Sequence, residues 1–200
     1  MNASPSRLER PVLRCASDPA WLPQALARFD QVLVDHAHCE KKAAGQAISL
    51  LAGFPEKELL VQRMARLAQE EIGHFRQVYD RMLARGLSLG RDRGDPYARR
   101  LRKLVRHERD DTRLTDLLLV SALIEARSHE RLQLLSEGLS DPDLAQFYAG
   151  LAQAEHGHAL LFVELAATYA PEDEVVARLE VMGEAEAEIV RALPLEPRIH

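Results

Sequence analysis

The sequence predicts an all-α protein, built as a four-helix bundle of two antiparallel helix pairs with flanking helices. Three observations predict this fold. Ala, Leu, Glu and Arg, which favour helix, dominate the chain. No stretch alternates apolar and polar residues in the way that is typical of a strand. Gly and Pro divide the chain into four helical stretches of about 25–30 residues, each about 40 Å long at the rise of an α-helix.

The predicted helices are joined by two short connections and one long connection. Four long helices are predicted at residues 23–52, 56–85, 112–137 and 142–169. A short basic helix is predicted at 97–106 and a last amphipathic helix at 172–193. The connections at 53–55 and 138–141 are short, so each long pair is antiparallel. The longer middle connection lets the second pair cross back to the first.

The chain is predicted to have one domain. Residues 1–20 contain Pro5, Pro11 and Pro19 and are predicted to form an irregular N-terminal arm. Residues 21–200 are predicted to form a single helical domain, because 200 residues suffice for one hydrophobic core. Hydrophobic residues make up 46% of the chain and charged residues 28%, which is typical of a soluble globular protein.

Cysteine content and hydropathy predict a cytoplasmic location. Cys15 and Cys39 are too few for a disulfide framework, which favours a reducing compartment. The first residues lack the apolar stretch of a signal peptide. The longest apolar run, near residues 117–124, is too short to cross a bilayer. We therefore expect no membrane partner.

Charge is distributed unevenly along the chain. The formal net charge is −5, yet residues 76–113 contain twelve Arg and Lys side chains against six Asp and Glu. Such a basic segment on an acidic protein indicates contact with a polyanion; the alternative is a solvated helix face with ion pairs. The candidate contacts are Arg91, Arg93, Arg99, Arg100, Arg102, Lys103 and Arg106.

One motif occurs twice, 84 residues apart. LAQEEIGH begins at residue 67 and LAQAEHGH at residue 151, with six of eight positions identical. Each copy contains Glu-x-x-His, whose spacing places a carboxylate and an imidazole on one helix face. A single Glu-x-x-His is a weak signal, because such pairs arise by chance in helices rich in Glu. The longer repeat favours a duplicated unit that carries the same chemistry twice.

Each Glu-x-x-His follows another glutamate on the preceding helix. Glu40 and Glu125 lie about thirty residues upstream, and both stand in apolar helix faces where an uncompensated carboxylate would cost several kcal/mol. Four Glu and two His are the ligand set of di-iron and di-manganese bundles, and hard oxygen donors suit iron or manganese. The predicted ligands are Glu40, Glu71, His74, Glu125, Glu155 and His158.

Three further residues are candidates for supporting the metal ligands. His36 shares a helix face with Glu40, and Asp35 directly precedes His36. His129 follows Glu125 by one turn. Each could hydrogen-bond a ligand and orient it. The alternative for each is an ordinary polar residue of a helix whose hydrogen bonds are satisfied elsewhere.

Two sequence segments resemble one enzyme family. VLVDHAHCEKKAAGQAISLL, at residues 32–51, resembles the first ligand helix of the tRNA-(2-methylthio-N6-isopentenyladenosine) hydroxylase family. ALIEARSHERLQLL, at residues 122–135, resembles its third, and the two Glu-x-x-His segments follow in family order. The resemblance extends from about residue 21 to residue 169.

The resemblance implies a ferritin-like fold and an O2-dependent monooxygenase with a non-haem di-iron centre. Its substrate would be the isopentenyl side chain of a modified adenosine next to the tRNA anticodon. All six predicted ligands stand where the family pattern requires them. No dinucleotide fingerprint follows a strand, so electrons are expected from a separate reductase or ferredoxin-like protein.

Two other functions are compatible with the same ligand set. A quinone or lipid hydroxylase would carry an apolar face toward the membrane, whereas the extra segments here are charged. A peroxide-detoxifying or iron-storage protein would act without a large substrate. A helical bundle without metal is the structural alternative.

Overall fold

Seven α-helices account for most of residues 12–200, the part of the chain that this computed structural model describes. They are α1 (Trp21–Ala27), α2 (Phe29–Gly53), α3 (Glu58–Ala84), α4 (Pro96–Arg102), α5 (Asp110–Gly138), α6 (Pro142–Tyr169) and α7 (Glu172–Ala192). These described residues contain no β-strand, which confirms the all-α prediction. None of the helices between residues 12 and 200 is both long and apolar enough to cross a bilayer.

The described chain divides into two compact units. The α2–α3 unit consists of residues 20–94 and 196–199, and the α5–α6 unit consists of residues 12–19, 95–195 and 200. Residues 12–20 contain neither helix nor strand. The earlier part of the predicted arm, 1–11, lies outside the described residues. The single domain over residues 21–200 stays a prediction.

In the α2–α3 unit, two long helices form an antiparallel hairpin around residues 54–57. Their facing sides are apolar: Leu33 and Ala37 of α2 and Leu60 and Met64 of α3 are fully buried. Burial of such side chains stabilises a helical pair by about 1.5–3 kcal/mol for each large residue. The hairpin thereby fixes the two faces on which Glu40 and the first Glu-x-x-His stand.

The first predicted helix is two helices in the structure. A helix was expected over residues 23–52, but α1 begins at Trp21 and the chain leaves the helical region at Arg28, where φ is −127° and ψ is 37°. Trp21 is fully buried, and its indole Nε1–H donates to the carbonyl of Arg198 at 3.0 Å. That contact comes from the far end of the chain, so helical periodicity could not predict it.

α3 ends at Ala84, one residue before the predicted end at 85, and Gly86 follows Arg85. Gly86 has a φ of 71°, a conformation that other residues adopt only with strain. Its N–H donates to the carbonyl of Leu83 at 2.9 Å, and the N–H of Leu87 donates to that of Met82 at 2.9 Å. These two bonds satisfy carbonyls that the helix end would otherwise leave without partners.

In the α5–α6 unit, the second long pair is joined by residues 139–141. α6 begins at Pro142, the predicted first residue of the fourth long helix. The Asp141 carboxylate accepts from the N–H groups of Asp143 at 2.9 Å and Leu144 at 3.3 Å. α7 packs against α4, α5 and α6. α4 ends four residues before the predicted Arg106, whose N–H donates to Asp116 at 2.9 Å instead of continuing the helix.

The N-cap of α6 gives a first prediction. We expect Asp141→Ala to lower the free energy of unfolding by about 1 kcal/mol, because it leaves two helix N–H groups without their acceptor. Asp141→Asn keeps an acceptor oxygen and should lose much less. Urea denaturation of both variants measures the difference, and equal losses would show that the cap contributes nothing specific.

Candidate metal centre

The α2–α3 unit brings three of the predicted metal ligands together. Glu40 lies on α2, and Glu71 and His74 lie one turn apart on α3. His74 Nδ1 is 3.7 Å from Glu40 Oε2 and 3.5 Å from Glu71 Oε2. One ligand atom from each of the three residues lies within 4.8 Å of the other two. The exposed fraction of Glu71 is 0% and that of Glu40 is 4%, so both carboxylates are withdrawn from bulk water.

The α5–α6 unit contains the equivalent three residues. Glu125 lies on α5, and Glu155 and His158 lie one turn apart on α6. All three are buried, and His158 Nδ1 is 3.3 Å from Glu155 Oε2. Each unit therefore carries one glutamate and one Glu-x-x-His on adjacent antiparallel helices, as the internal repeat indicates.

The electrostatics of the α2–α3 unit are those of a cation site. Burial alone would raise the pKa of Glu40, but the charge and hydrogen bond of His36, with further bonds to His74 and Glu71, hold that pKa well below its usual range. Burial alone would lower the pKa of His74, but the carboxylates of Glu40 and Glu71 outweigh it and raise that pKa to about 10. Two buried carboxylates thus retain a proton on His74.

The donor set fits a metal such as iron. Carboxylate oxygens and one imidazole nitrogen from each unit are donors that iron and manganese accept. Metal ligands must be deprotonated, so a bound cation would replace the proton on His74 as the positive charge beside Glu40 and Glu71. Buried carboxylates are costly unless a cation compensates them, and a metal ion does so directly.

The three candidate supporting residues have different surroundings. His36 is buried, and its Nε2 lies 2.6 Å from Glu40 Oε1. Asp35 accepts from the backbone N–H of Ile199 at 2.9 Å. His129 Nδ1 lies 2.7 Å from the carbonyl oxygen of Ala152 and so ties α5 to α6. Of the three, His36 is the residue that contacts a predicted ligand of its own unit.

A buried hydrogen-bonded chain in the α5–α6 unit escaped the sequence reasoning. Ser128 Oγ lies 2.7 Å from His200 Nε2, and His200 Nδ1 lies 3.1 Å from Asp95 Oδ2. The His200 ring also stacks on Tyr97, with ring centroids 5.5 Å apart. The signal in the sequence that could have indicated these contacts is the position of Ser128, one turn after Glu125. These contacts hold His200 against α5.

The candidate polyanion contacts are exposed, and they divide between the two units. Arg91 and Arg93 belong to the α2–α3 unit. The five in the α5–α6 unit are Arg99, Arg100, Arg102, Lys103 and Arg106. The guanidinium of Arg106 already forms a bidentate ion pair with Asp116, at 2.9 Å and 2.8 Å.

Asp116 is a buried carboxylate that accepts hydrogen bonds from two arginines. Besides Arg106, it accepts from Nε and Nη2 of Arg178 at 2.9 Å and 2.8 Å. Burial alone would raise the pKa of Asp116, but these hydrogen bonds outweigh it and lower the pKa below its ordinary value. A carboxylate with a lowered pKa stabilises the fold above its unfolded-state pKa, about 3.9, and that stabilisation is lost as pH falls toward the folded-state pKa.

We therefore expect Asp116→Asn to flatten the acid side of the stability curve. The variant should be less stable than the wild type at pH 7, and the difference should shrink as pH falls below about 4. Urea denaturation at a series of pH values measures it. Asp110→Asn, an exposed position on the same helix, is the control. Parallel curves for wild type and Asp116→Asn would contradict the expectation.

Comparisons with known proteins extend over nearly the whole chain. The family model described as tRNA-(MS[2]IO[6]A)-hydroxylase (MiaE) matches residues 6–200. A tRNA 2-(methylsulfanyl)-N(6)-isopentenyladenosine(37) hydroxylase from Pseudomonas putida is 40% identical over 189 residues, covering 94% of this chain and 91% of that protein. An enzyme of the same name from Salmonella typhimurium is 30% identical, covering 94% of this chain and 87% of that protein.

A solved structure is similar over the same extent. It is described as Protein 43 with aldehyde deformylating oxygenase activity from Synechococcus, with a TM-score of 0.89 and 37% sequence identity. The match covers 94% of each chain. This likeness confirms the ferritin-like fold that the sequence predicts.

Proposed function

Because the chain belongs to the tRNA-(MS[2]IO[6]A)-hydroxylase (MiaE) family, we propose that it hydroxylates the isopentenyl side chain of 2-methylthio-N6-isopentenyladenosine in tRNA, next to the anticodon. The reaction would be an O2-dependent monooxygenation. The observation that carries the proposal is the match along residues 6–200, which includes both Glu-x-x-His segments and the glutamate that precedes each. We further propose that residues 21–200 act as one di-iron domain.

The proposed cofactor is a pair of iron ions held by Glu40, Glu71, His74, Glu125, Glu155 and His158. When bound, such a pair would activate O2. With two electrons from the donor protein and two protons, one oxygen atom would be inserted into a C–H bond and the other would leave as water. Support comes from the donor chemistry, since each unit offers two carboxylates and one imidazole, all withdrawn from bulk water or nearly so.

The protein would position and balance this cofactor. His36 is buried beside Glu40 at 2.6 Å, so it fixes the orientation of that carboxylate on α2. His74 would exchange its proton for the metal, which leaves Glu40 and Glu71 with a compensating charge. The apolar faces of the helices exclude water around the carboxylates, which strengthens their interaction with a cation.

Recognition of tRNA would depend on exposed cations. The proposed contacts are Arg91, Arg93, Arg99, Arg100, Arg102, Lys103 and Arg106, with the guanidinium of Arg106 shared with Asp116. The modified base would be splayed out of the anticodon loop, as single-stranded recognition generally requires. We propose a separate electron-donor protein, because no dinucleotide motif is present, and a cytoplasmic location, where tRNA is modified.

Nucleoside mass spectrometry on tRNA tests the proposed function. The tRNA comes from cells that make the isopentenyl modification but lack a hydroxylase, supplied with this chain or its Glu125→Ala variant. We expect hydroxylated nucleoside with the wild type and none with Glu125→Ala. Glu137→Ala, which changes an exposed glutamate on the same helix, should behave as the wild type. Unchanged nucleosides with soluble, iron-loaded and reduced protein would refute the tRNA substrate and favour a quinone, lipid or peroxide.

A further inference from the structure

The α2–α3 unit contains a large pocket of which the proposed function uses only Arg91 and Arg93. Its volume is about 660 Å³, within the range of about 300–1,000 Å³ that is common for ligand sites. The walls are the first half of α2, the segment 87–93 and the tail segment 196–198. Charged side chains line it together with the imidazole of His38 and the apolar side chains of Val34, Leu87 and Leu89.

The walls of this pocket are fixed to α2 by hydrogen bonds. His38 Nε2 lies 3.0 Å from the carbonyl oxygen of Leu89, and Lys41 Nζ lies 2.9 Å from His38 Nδ1. On the other side, Asp35 accepts from the backbone N–H of Ile199. Arg198 Nη1 donates to the carbonyl of Gly94 at 2.8 Å. The pocket is therefore built on the helix that carries Glu40.

The acidic residues of the pocket already have cationic partners. Asp30 pairs with Arg85 at 2.8 Å, and Asp92 lies 3.7 Å from Lys41. Asp35 and Glu196 both pair with Arg198, at 3.7 Å and 2.8 Å. Each acid thus has a cationic partner within the unit, and Arg198 is shared by two of them.

Three arginines of the same pocket have no ion-pair partner in the described part of the chain. Arg28, Arg91 and Arg93 are exposed, and no acidic partner for their side chains occurs among residues 12–200. The pocket therefore presents three guanidinium groups that form no ion pair with its acids, because those acids pair with Lys41, Arg85 and Arg198. A guanidinium matches phosphate oxygens with two parallel hydrogen bonds.

We propose that this pocket binds a backbone phosphate and its nucleotide in the single-stranded tRNA segment that carries the substrate base. The inference rests on the proposed function and adds Arg28, which lies far in sequence from the basic segment. Arg28 immediately precedes α2, along which Phe29 and Glu40 are about 17 Å apart at 1.5 Å per residue, a distance that a short single strand spans. The imidazole of His38 is buried and engaged on both nitrogens, so the neighbouring base stacks on an exposed guanidinium plane, as occurs in RNA recognition.

The test measures RNA binding and hydroxylation with the iron-loaded full chain. The probe is an anticodon stem-loop RNA that carries the isopentenyl modification. We expect Arg28→Ala to raise Kd about 5- to 10-fold and to lower the salt dependence by about one unit of slope, the signature of one lost phosphate contact. The triple variant Arg28→Ala/Arg91→Ala/Arg93→Ala should raise Kd further and lower the salt slope further. Arg28→Lys should recover part of the affinity, because it restores the charge without the planar fork.

The control is Arg63→Ala/Arg66→Ala, which removes two exposed arginines near the other end of the α2–α3 hairpin. It should leave Kd and salt slope unchanged. Equal losses in control and pocket variants, or unchanged binding by the Arg28→Ala enzyme, would overturn the pocket while the wild type still hydroxylates tRNA. A raised KM for the electron donor with unchanged RNA affinity would also overturn it, in favour of an acidic protein. Failure of the wild type to act on tRNA would instead refute the proposed function.

Discussion

Replacing Glu71 by alanine is expected to abolish hydroxylation and to reduce the iron content of the purified protein. Glu71 is fully buried on α3, and its carboxylate lies 3.5 Å from His74 Nδ1. Loss of residues that merely orient metal ligands costs about 10- to 100-fold in affinity or activity, so loss of a ligand should cost more than about 100-fold in kcat/KM. Iron analysis and nucleoside mass spectrometry on the same preparations measure both effects.

The neighbouring Glu70 provides the matched control. Glu70 is also a glutamate of α3, but it is exposed. Glu70→Ala therefore deletes a carboxylate that faces solvent. We expect it to keep full iron content and activity. Added iron should raise the Tm of the wild type and of Glu70→Ala, because a ligand that binds only the folded state stabilises it. An iron-dependent Tm shift that survives unchanged in Glu71→Ala would contradict the assignment of this ligand.

Replacing Arg127 by alanine is expected to give the largest loss of stability in the α5–α6 unit. Arg127 and Glu186 both have an exposed fraction of 0%, and Arg127 Nη2 lies 2.8 Å from Glu186 Oε1. Arg127 also contacts Glu130 and donates to the carbonyl of Cys15 at 3.0 Å. Removing one partner leaves a buried carboxylate without its cation, which costs about 3–5 kcal/mol. Chemical denaturation measures the loss.

The pairing itself is tested by a second variant. Arg127→Met/Glu186→Leu removes both charges and keeps apolar volume, so we expect it to recover much of the stability that Arg127→Ala loses. Tyr97 donates to Glu186 at 2.9 Å, and burial together with that carboxylate raises the pKa of Tyr97 well above its usual value. Arg99→Ala, an exposed change, should stay within about 0.5 kcal/mol of the wild type. A small loss for Arg127→Ala would show that the charges are not isolated from water.

Local patterns predicted the helices and the pairing of a glutamate with a histidine in each Glu-x-x-His, because both depend on short-range spacing. The Asp141-Pro142 pair gave the start of α6, and the repeated Glu-x-x-His placed Glu71 beside His74 and Glu155 beside His158. Each pairing needs only one helical turn, which sequence spacing determines.

Features that join distant segments could not be predicted in this way. The break at Arg28 accompanies a contact between Trp21 and Arg198. Arg127 has partners in the N-terminal segment and in α7, so its burial depends on tertiary packing. The arginine pocket likewise joins α2 to a loop and to the tail. Periodicity reports which face of a helix is apolar, but not which remote segment covers it.

The central claim is that two sets of two glutamates and one histidine together bind a pair of iron ions. Anomalous diffraction at the iron edge, from crystals of the iron-loaded protein, tests it most directly. The account predicts two iron peaks in each chain, coordinated by Glu40, Glu71, His74, Glu125, Glu155 and His158. A single peak, or iron bound elsewhere, would contradict it.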